Sequence, residues 1–355
     1  MARRRSGRAF ALFAGLAAAI AGWRLGIAYR DRLLPPPPPV VRPAPSAPAT
    51  TITDPLAPDR PVAFDRTPRA ADAGDWISAR PSFQYSLSSE QRGGVNPCAM
   101  PGVDTSGFEN WTNLARGRFI SPKSDALDAT GGFDLVLNFH GDELARRELV
   151  ESGEKFVLYS LTLGPDEDYA PLFAGSKFHG YLVQQVELLL GQKYGVTAHA
   201  RHVALTAWSA GFMAVLSTIA QPEAQAVDAV VLIDGLHGTR GALEHPFKTL
   251  VDFARRAEKG ERFLYITHSS IDPPNFSSTT ESAHYLISAL GGRPEAVRRK
   301  DRAGLELIEY FTRGDLHIRG YAGNDKADHC AQVTLLRDAF AAIGRRWKKG
   351  TGPQP

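Results

Sequence analysis

Residues 203–211 read VALTAWSAG, and this stretch decides the fold. Its first residues form a short apolar run typical of a buried strand, and the pattern over 210–220 predicts a helix. Ser209 lies at the junction, with small residues at positions 207, 210 and 211. A strand that passes straight into a helix makes a tight, strained turn at the helix N-terminus. Such a turn exposes the Ser209 hydroxyl beside free N–H groups that favour negative charge.

The sequence on both sides of this stretch alternates between apolar runs and helical spacing. The apolar runs predict strands at 133–139, 156–161, 229–233, 263–267, 305–310 and 316–321, with a further strand at 83–87. The helical spacing predicts helices at 178–190, 246–258, 282–290 and 328–347. Short apolar strands separated by helices predict an α/β fold, a mostly parallel sheet with helices on both faces. Ligands bind such sheets at the carboxyl ends of the strands, so the chemistry is expected just after each strand.

The elbow sequence AWSAG at 207–211 resembles the nucleophile elbow of the α/β-hydrolase superfamily, G-x-S-x-G, with Ala207 in place of the first glycine. The resemblance covers roughly residues 133–347, and it implies an α/β-hydrolase-like fold with a reduced sheet, because the early family strands are not evident. It also implies that Ser209 is the nucleophile of a serine esterase or lipase-like enzyme. The N–H of Ala210 would then belong to the oxyanion hole. The alternative is that Ser209 only caps the following helix.

The family order of serine, acid and histidine implies that His329 is the catalytic base. His329 ends the polar stretch 323–329, where the last predicted helix begins, whereas His317 lies inside a predicted strand and is the weaker candidate. Two aspartates are candidates for the acid. Asp272 follows the strand 263–267 in a sequence similar to the family turn H-G-x-x-D, and we favour it by position. Asp234, directly after the strand 229–233, is the alternative.

A second oxyanion donor is expected after the strand 133–139, which is followed by His140, Gly141 and Asp142. Family members often carry a His-Gly pair here, and a glycine allows the backbone to approach a substrate closely. The resemblance therefore implies Gly141 or Asp142 as the second donor. An ordinary glycine turn at the end of a strand is the alternative.

Three functions compete at this stage. The first is a serine hydrolase that cleaves an ester or a related acyl bond through an acyl-enzyme. The second is a metal-dependent hydrolase that uses strand-end ligands, with His140, Asp142, His237 and His329 as candidates. The third is a non-catalytic binding module on a hydrolase fold. No H-E-x-x-H or C-x-x-C spacing supports the second, so we expect neither a metal nor another cofactor.

The N-terminal sequence predicts export. Arginines at positions 3, 4, 5 and 8 precede an uncharged apolar run, so residues 1–28 are predicted to be a cleaved signal peptide or an uncleaved signal-anchor. Either one puts the remainder outside the cytoplasm, as a periplasmic, secreted or membrane-anchored protein. Residues 29–75, which include an unbroken proline run at 35–39, are predicted to be a disordered linker. Contact with a membrane is expected only through the N-terminal segment.

The remaining chain is expected to contain an irregular cover at 76–132, the catalytic domain at 133–347 and a disordered tail at 348–355. Residues 1–80 hold twelve arginines and six aspartates, a net charge of +6. Since the whole chain carries +3, the remaining residues carry a net charge of −3. That balance excludes nucleic acid as a partner, and the expected partner is a small-molecule or lipid acyl substrate. The cysteines, Cys98 and Cys330, form a disulfide or remain two separate thiols.

Overall fold

The computed structural model describes residues 103–163, 169–173, 177–238, 243–273, 276–301, 304–323 and 326–350. All of them belong to one of two units of the chain, Thr51–Pro355. The predicted signal segment, the proline-rich linker and the predicted strand at 83–87 lie outside the described residues. No helix within the described ranges is both long and apolar enough to span a bilayer.

Ten strands form a single mixed sheet in the described part of the chain. In chain order they are β1 Thr112–Asn113, β2 Arg118–Ile120, β3 Gly132–Phe139, β4 Val157–Leu161, β5 His199–Trp208, β6 Val227–Ile233, β7 Phe263–Ser269, β8 Glu295–Lys300, β9 Glu306–Arg313 and β10 Leu316–Ala322. Their order across the sheet is β1-β2-β4-β3-β5-β6-β7-β10-β9-β8. The six central strands, in the spatial order β4-β3-β5-β6-β7-β10, are parallel. The two strands at each edge, β1 and β2 on one side and β9 and β8 on the other, pair antiparallel.

Eight α-helices connect or follow these strands in the described residues. They are α1 Asp142–Ser152, α2 Tyr169–Phe173, α3 Phe178–Tyr194, α4 Phe212–Ile219, α5 Glu244–Glu258, α6 Thr279–Ala289, α7 Lys326–Gln332 and α8 Leu336–Lys348. A 3-10 turn, Ser209–Gly211, joins β5 to α4. The predicted α/β class, a mostly parallel sheet with flanking helices, is therefore confirmed.

The helices cover both faces of the sheet, because successive side chains of a buried strand point to opposite faces. On β3, Leu135 and Leu137 belong to one hydrophobic cluster and Val136 to the other. The first cluster receives the apolar faces of α2 to α6, and the second those of α1, α7 and α8. This double covering explains why the central strands read as continuous apolar runs.

Some elements lack the apolar pattern that predicts structure from sequence. Helix α1 was not predicted, because its buried face includes the charged Arg147 and Glu148 beside Ala145 and Leu149. The pair is neutralised internally, since Arg147 Nε donates to Glu148 Oε1 at 2.7 Å. Strand β8 was also missed, since it is polar and lies at the sheet edge. The single helix predicted at 328–347 is instead two helices, α7 and α8, separated by a 3-10 turn.

The last helix is fastened to the sheet by a buried ion pair. The Arg346 guanidinium donates two hydrogen bonds to the carboxylate of Asp228, at 3.0 and 3.1 Å. Trp347 Nε1 donates to the same carboxylate at 2.7 Å. Paired and fully hydrogen-bonded charges are tolerated in a core, whereas the loss of one partner is costly. These contacts fix α8 on β6 and thereby restrict the position of α7, which carries His329.

Candidate active site

Ser209 is held in a strained turn between β5 and α4. Its φ is +52°, a conformation unfavourable for residues other than glycine, whereas Trp208 before it is extended. Two glycines give this turn its space. A Cβ on Gly211 would lie 2.1 Å from the carbonyl oxygen of Phe139, and one on Gly235 would lie 2.3 Å from the carbonyl oxygen of Ser209. The small residue at 211 was predicted from the sequence; the requirement at 235 was not.

Strained backbone is repeated at the carboxyl ends of three adjacent strands. His140 follows β3 with a φ of +74°, Ser209 follows β5, and Asp234 follows β6 with a φ of +40°. These are three of the five non-glycine residues with positive φ in the described part of the chain. Such strain persists where the surrounding structure enforces it and is concentrated at functional sites. The carboxyl edge of the sheet is therefore the candidate site, as predicted for this fold class.

Asp234 is a buried carboxylate that accepts hydrogen bonds on both of its oxygens. Its Oδ1 accepts from the Ser269 N–H at 2.9 Å and from Thr279 Oγ1 at 2.8 Å. Its Oδ2 lies 2.7 Å from His329 Nδ1. Burial raises the pKa of Asp234, but the hydrogen bonds from His329, Thr279 and Ser269 outweigh it and hold the pKa below the usual value. Asp234 is therefore an ionised acceptor for the His329 ring.

The His329 ring is positioned on two sides. Its Nδ1 meets Asp234, and the ring stacks on Trp208 with 4.9 Å between centroids. The indole Nε1 also donates to the carbonyl oxygen of His329 at 3.3 Å. Because Nδ1 donates to a carboxylate, the neutral ring carries its lone pair on Nε2. An imidazole with its lone pair on Nε2 thus lies against Trp208, the residue that immediately precedes Ser209.

The carboxylate that meets His329 is Asp234, the alternative, and not Asp272, the one favoured by position. Asp272 is exposed, three residues beyond the end of β7. The reason lies in the strand order, because β6 is the neighbour of β5 and β7 is one strand further from Ser209. The carboxyl end of β7 still contributes to the site, since its last residue, Ser269, donates its N–H to Asp234.

The predicted oxyanion donors follow two neighbouring strands, Ala210 after β5 and Gly141 and Asp142 after β3. Ala210 is exposed at the first turn after it. Gly141 lies over Trp208, where an added Cβ would be 3.0 Å from the indole Cε3. The N–H of Asp142 donates to Thr162 Oγ1 at 3.2 Å, and Arg118 engages its carboxylate. Gly141 is therefore the better placed of the two candidates for the second donor.

Two further histidines border the site in neutral form. The His140 ring lies 5.4 Å from the Trp208 ring, and burial together with the nearby His329 lowers its pKa. His237 packs between the rings of Phe212 and Phe276, at 5.9 and 4.7 Å, and burial lowers its pKa as well. Both were considered as metal ligands from the sequence.

The ligand set proposed for a metal-dependent hydrolase does not assemble. Within the described residues, one group of three side chains brings its ligand atoms close enough to share a metal ion, and that group contains none of the four predicted ligands. The Nδ1 of His329 is engaged by Asp234, and that of His237 lies 3.1 Å from the carbonyl oxygen of Ser277.

The remaining sequence candidates are His317 and the cysteines. His317 is in β10 as predicted, at the amino ends of the strands, with its ring 5.7 Å from that of Phe263. Cys330 is buried in α7, directly after His329, and belongs to a disulfide. Cys98, its predicted partner, lies outside the described residues.

The sequence reasoning missed the residues that hold Asp234. Ser269 and Thr279 are ten residues apart in the chain. Both reach Asp234, at the end of β6, because α6 begins beside the carboxyl end of β7. One local signal was present, because Ser278 and Glu281 form a capping box that begins α6. That motif predicts a helix start at Thr279, but not the neighbour of its hydroxyl group.

The chain has an α/β fold, with a serine, a histidine and an aspartate at the carboxyl edge of the mostly parallel sheet. No protein-family model matches the chain, and no curated protein matches it. Among solved structures it is similar to a thermostable esterase, at 13% identity with a TM-score of 0.40, over 68% of this chain. It covers 63% of that esterase, less than two thirds of its length.

Two other similar structures are matched over nearly their whole length. One is a zinc-bound, cold-adapted esterase from an Arctic intertidal metagenomic library, with 13% identity and a TM-score of 0.40 over 69% of this chain and 96% of that one. The other is the siderophore hydrolase EstB from Aspergillus nidulans, with 13% identity and a TM-score of 0.40 over 68% and 96%.

Proposed function

We propose that this protein is a serine hydrolase that cleaves an ester or a related acyl bond through an acyl-enzyme on Ser209. Asp234, rather than Asp272, is the proposed acid, and His329 the proposed base. The observation that carries the proposal is the ordered arrangement around His329. Its Nδ1 is bound to a buried carboxylate, and its ring is stacked on the residue before a strained serine.

In the proposed reaction, His329 Nε2 removes the proton of Ser209 Oγ while that oxygen attacks the acyl carbon. The positive imidazolium that results is stabilised by Asp234, whose carboxylate remains ionised. The N–H groups of Ala210 and Gly141 stabilise the negative tetrahedral oxygen. His329 then returns the proton to the leaving alcohol. His329 then deprotonates a water molecule as it attacks the acyl-enzyme, the acyl group leaves as a carboxylic acid, and the proton on His329 returns to Ser209 Oγ.

Aromatic side chains favour substrates with apolar groups. Phe276 is 42% exposed, and its ring lies 4.7 Å from His237 beside the proposed triad. Trp208 and Phe212 lie on either side of Ser209 in the chain. An exposed aromatic ring next to a catalytic edge supplies apolar contact area for an acyl or alcohol group. We propose a small-molecule or lipid ester accordingly. Action outside the cytoplasm is also proposed, and it rests on the N-terminal sequence alone.

The direct test is covalent labelling of the full chain with a fluorophosphonate probe. We expect one label per chain and hydrolysis of p-nitrophenyl esters, both abolished in Ser209→Ala. Ser217→Ala is the matched control, because this partly exposed serine lies two turns along α4 and should leave labelling unchanged. Absence of labelling in folded wild-type protein would refute the acyl-enzyme and favour a non-catalytic binding module. Equal labelling of Ser209→Ala would refute Ser209 as the nucleophile.

A further inference from the structure

A second cluster of side chains lies one strand beyond the proposed triad. His268 on β7, His284 on α6 and Glu309 on β9 bring one ligand atom each within 4.8 Å of the others. His284 Nε2 lies 2.6 Å from Glu309 Oε1, and His268 Nε2 lies 3.3 Å from the same oxygen. The proposed ester hydrolysis uses none of them.

The sheet is built to let these side chains meet. His268, Gly320 and Glu309 are in register on the neighbouring strands β7, β10 and β9. Gly320 has no side chain, so the two flanking side chains lean together over it. A Cβ at Gly320 would lie 2.5 Å from His268 Cε1 and 2.6 Å from Glu309 Cγ. Any other residue at position 320 would fill the space in which the ligand atoms converge.

The hydrogen bonds of His268 determine which ring nitrogen carries the proton. Thr280 Oγ1 donates its single proton to the carbonyl oxygen of Ser269 at 2.6 Å. It can therefore only accept from His268 Nδ1, 2.9 Å away. The proton of the neutral ring is consequently on Nδ1, and the lone pair is on Nε2. A fixed tautomer of this kind, held through the outer nitrogen, is typical of histidines that ligate metals.

This tautomer leaves two acceptors facing each other. His268 Nε2 lies 3.3 Å from Glu309 Oε1, and the two side chains are 2% and 15% exposed. Two acceptors this close together and largely removed from water repel unless a cation or a proton donor lies between them. Zinc bonds of roughly 2.0 Å at a tetrahedral angle separate ligand atoms by about 3.3 Å. The 2.6 Å contact of the half-buried His284 would widen by a small rotation of that ring.

We infer that His268, His284 and Glu309 bind a divalent metal ion of the zinc class, with water completing the tetrahedron. Two imidazoles and one carboxylate suit zinc and its neighbours better than calcium or magnesium, which prefer oxygen ligands. The adjacent residues Ser269 and Thr279 hold Asp234. A bound ion would thus join β7, α6 and β9 directly behind that carboxylate. The inference is independent of the proposed hydrolase activity.

The test is metal binding by the purified full chain after chelator treatment and dialysis. We expect one Zn²⁺ per chain by calorimetry, and Co²⁺ in its place should give the visible absorption of a tetrahedral site. Thr280→Val removes the acceptor that fixes the His268 tautomer, and should weaken affinity roughly 10- to 100-fold. His284→Ala and Glu309→Gln remove ligands and should weaken it further.

The control is His199→Ala, because His199 is exposed at the start of β5. It should leave the stoichiometry and the affinity unchanged. Absence of a stoichiometric Zn²⁺, or equal affinity in the wild type, His284→Ala and Glu309→Gln, would overturn the inference. Loss of the tetrahedral Co²⁺ spectrum in His199→Ala alone would also overturn it, since the ion would then bind elsewhere. The ester assay is separate, so failure of either proposal leaves the other measurable.

Discussion

Replacing Asp234 with asparagine tests the pairing on which the proposed mechanism depends. Oδ1 of Asp234 accepts from Ser269 and Thr279, both of which are donors, so an asparagine must keep its oxygen there. Its NH2 group then replaces Oδ2 and faces His329 Nδ1. A donor at that position forces the ring proton onto Nε2, where it prevents removal of the Ser209 proton. The fold should survive, because all three hydrogen bonds can still be formed.

The magnitude follows from the loss of the productive tautomer. In serine proteases the equivalent change lowers kcat by about 10⁴ while leaving the geometry intact. At about 1.4 kcal/mol per factor of ten, this corresponds to about 5 kcal/mol in the activation barrier. We expect a similar fall in kcat for Asp234→Asn. KM should change little, because Asp234 is buried behind the histidine and does not contact the substrate.

Steady-state hydrolysis of a p-nitrophenyl ester, with circular dichroism to verify folding, measures this effect. Asp272→Asn is the matched control, since it makes the same chemical change at an exposed position after the next strand. It should retain kcat within about twofold, as surface substitutions usually do. A large loss in Asp272→Asn, with near wild-type activity in Asp234→Asn, would refute the assignment of the acid.

Two further predictions concern the elbow and the core. Gly235→Ala places a Cβ 2.3 Å from the Ser209 carbonyl oxygen. The resulting shift of about 1 Å at the nucleophile should lower kcat/KM roughly 100-fold. The control is Gly180→Ala in α3, where the added Cβ meets open space; it should keep full activity and gain up to about 1 kcal/mol in stability. Full activity in Gly235→Ala would contradict this packing. Burial, with a smaller effect of Arg319, lowers the pKa of His317 to about 3, so the unfolded chain binds the proton more readily and stability is lost as pH falls from about 6.5 toward 3. His317→Phe should reduce the slope of the unfolding free energy against pH by about 1.4 kcal/mol per pH unit between about pH 4 and 6. Denaturant titrations at several pH values measure this slope. An unchanged slope would show that the His317 ring does not titrate as described.

Much of the local structure was predictable from the sequence, because buried strands and amphipathic helices leave periodic apolar patterns. The elbow was the clearest case: a buried strand, small residues at 207 and 211, and a following helix leave Ser209 in a strained turn. Helix α1 was not predictable in this way, since Arg147 and Glu148 neutralise each other inside the protein. A pattern of apolar residues does not record such a pair.

What only the tertiary structure decided is which distant side chains meet. Asp234 and Asp272 both follow buried strands, and the local pattern that favours Asp272 does not decide which of them reaches His329, because that depends on which strand lies next to β5. The cluster of His268, His284 and Glu309 likewise depends on the register of β7, β10 and β9 across Gly320. The apolar spacing of a chain determines which residues are buried and in which element. Strand order and register determine which polar groups are buried together, and the chemistry of this protein depends on those groups.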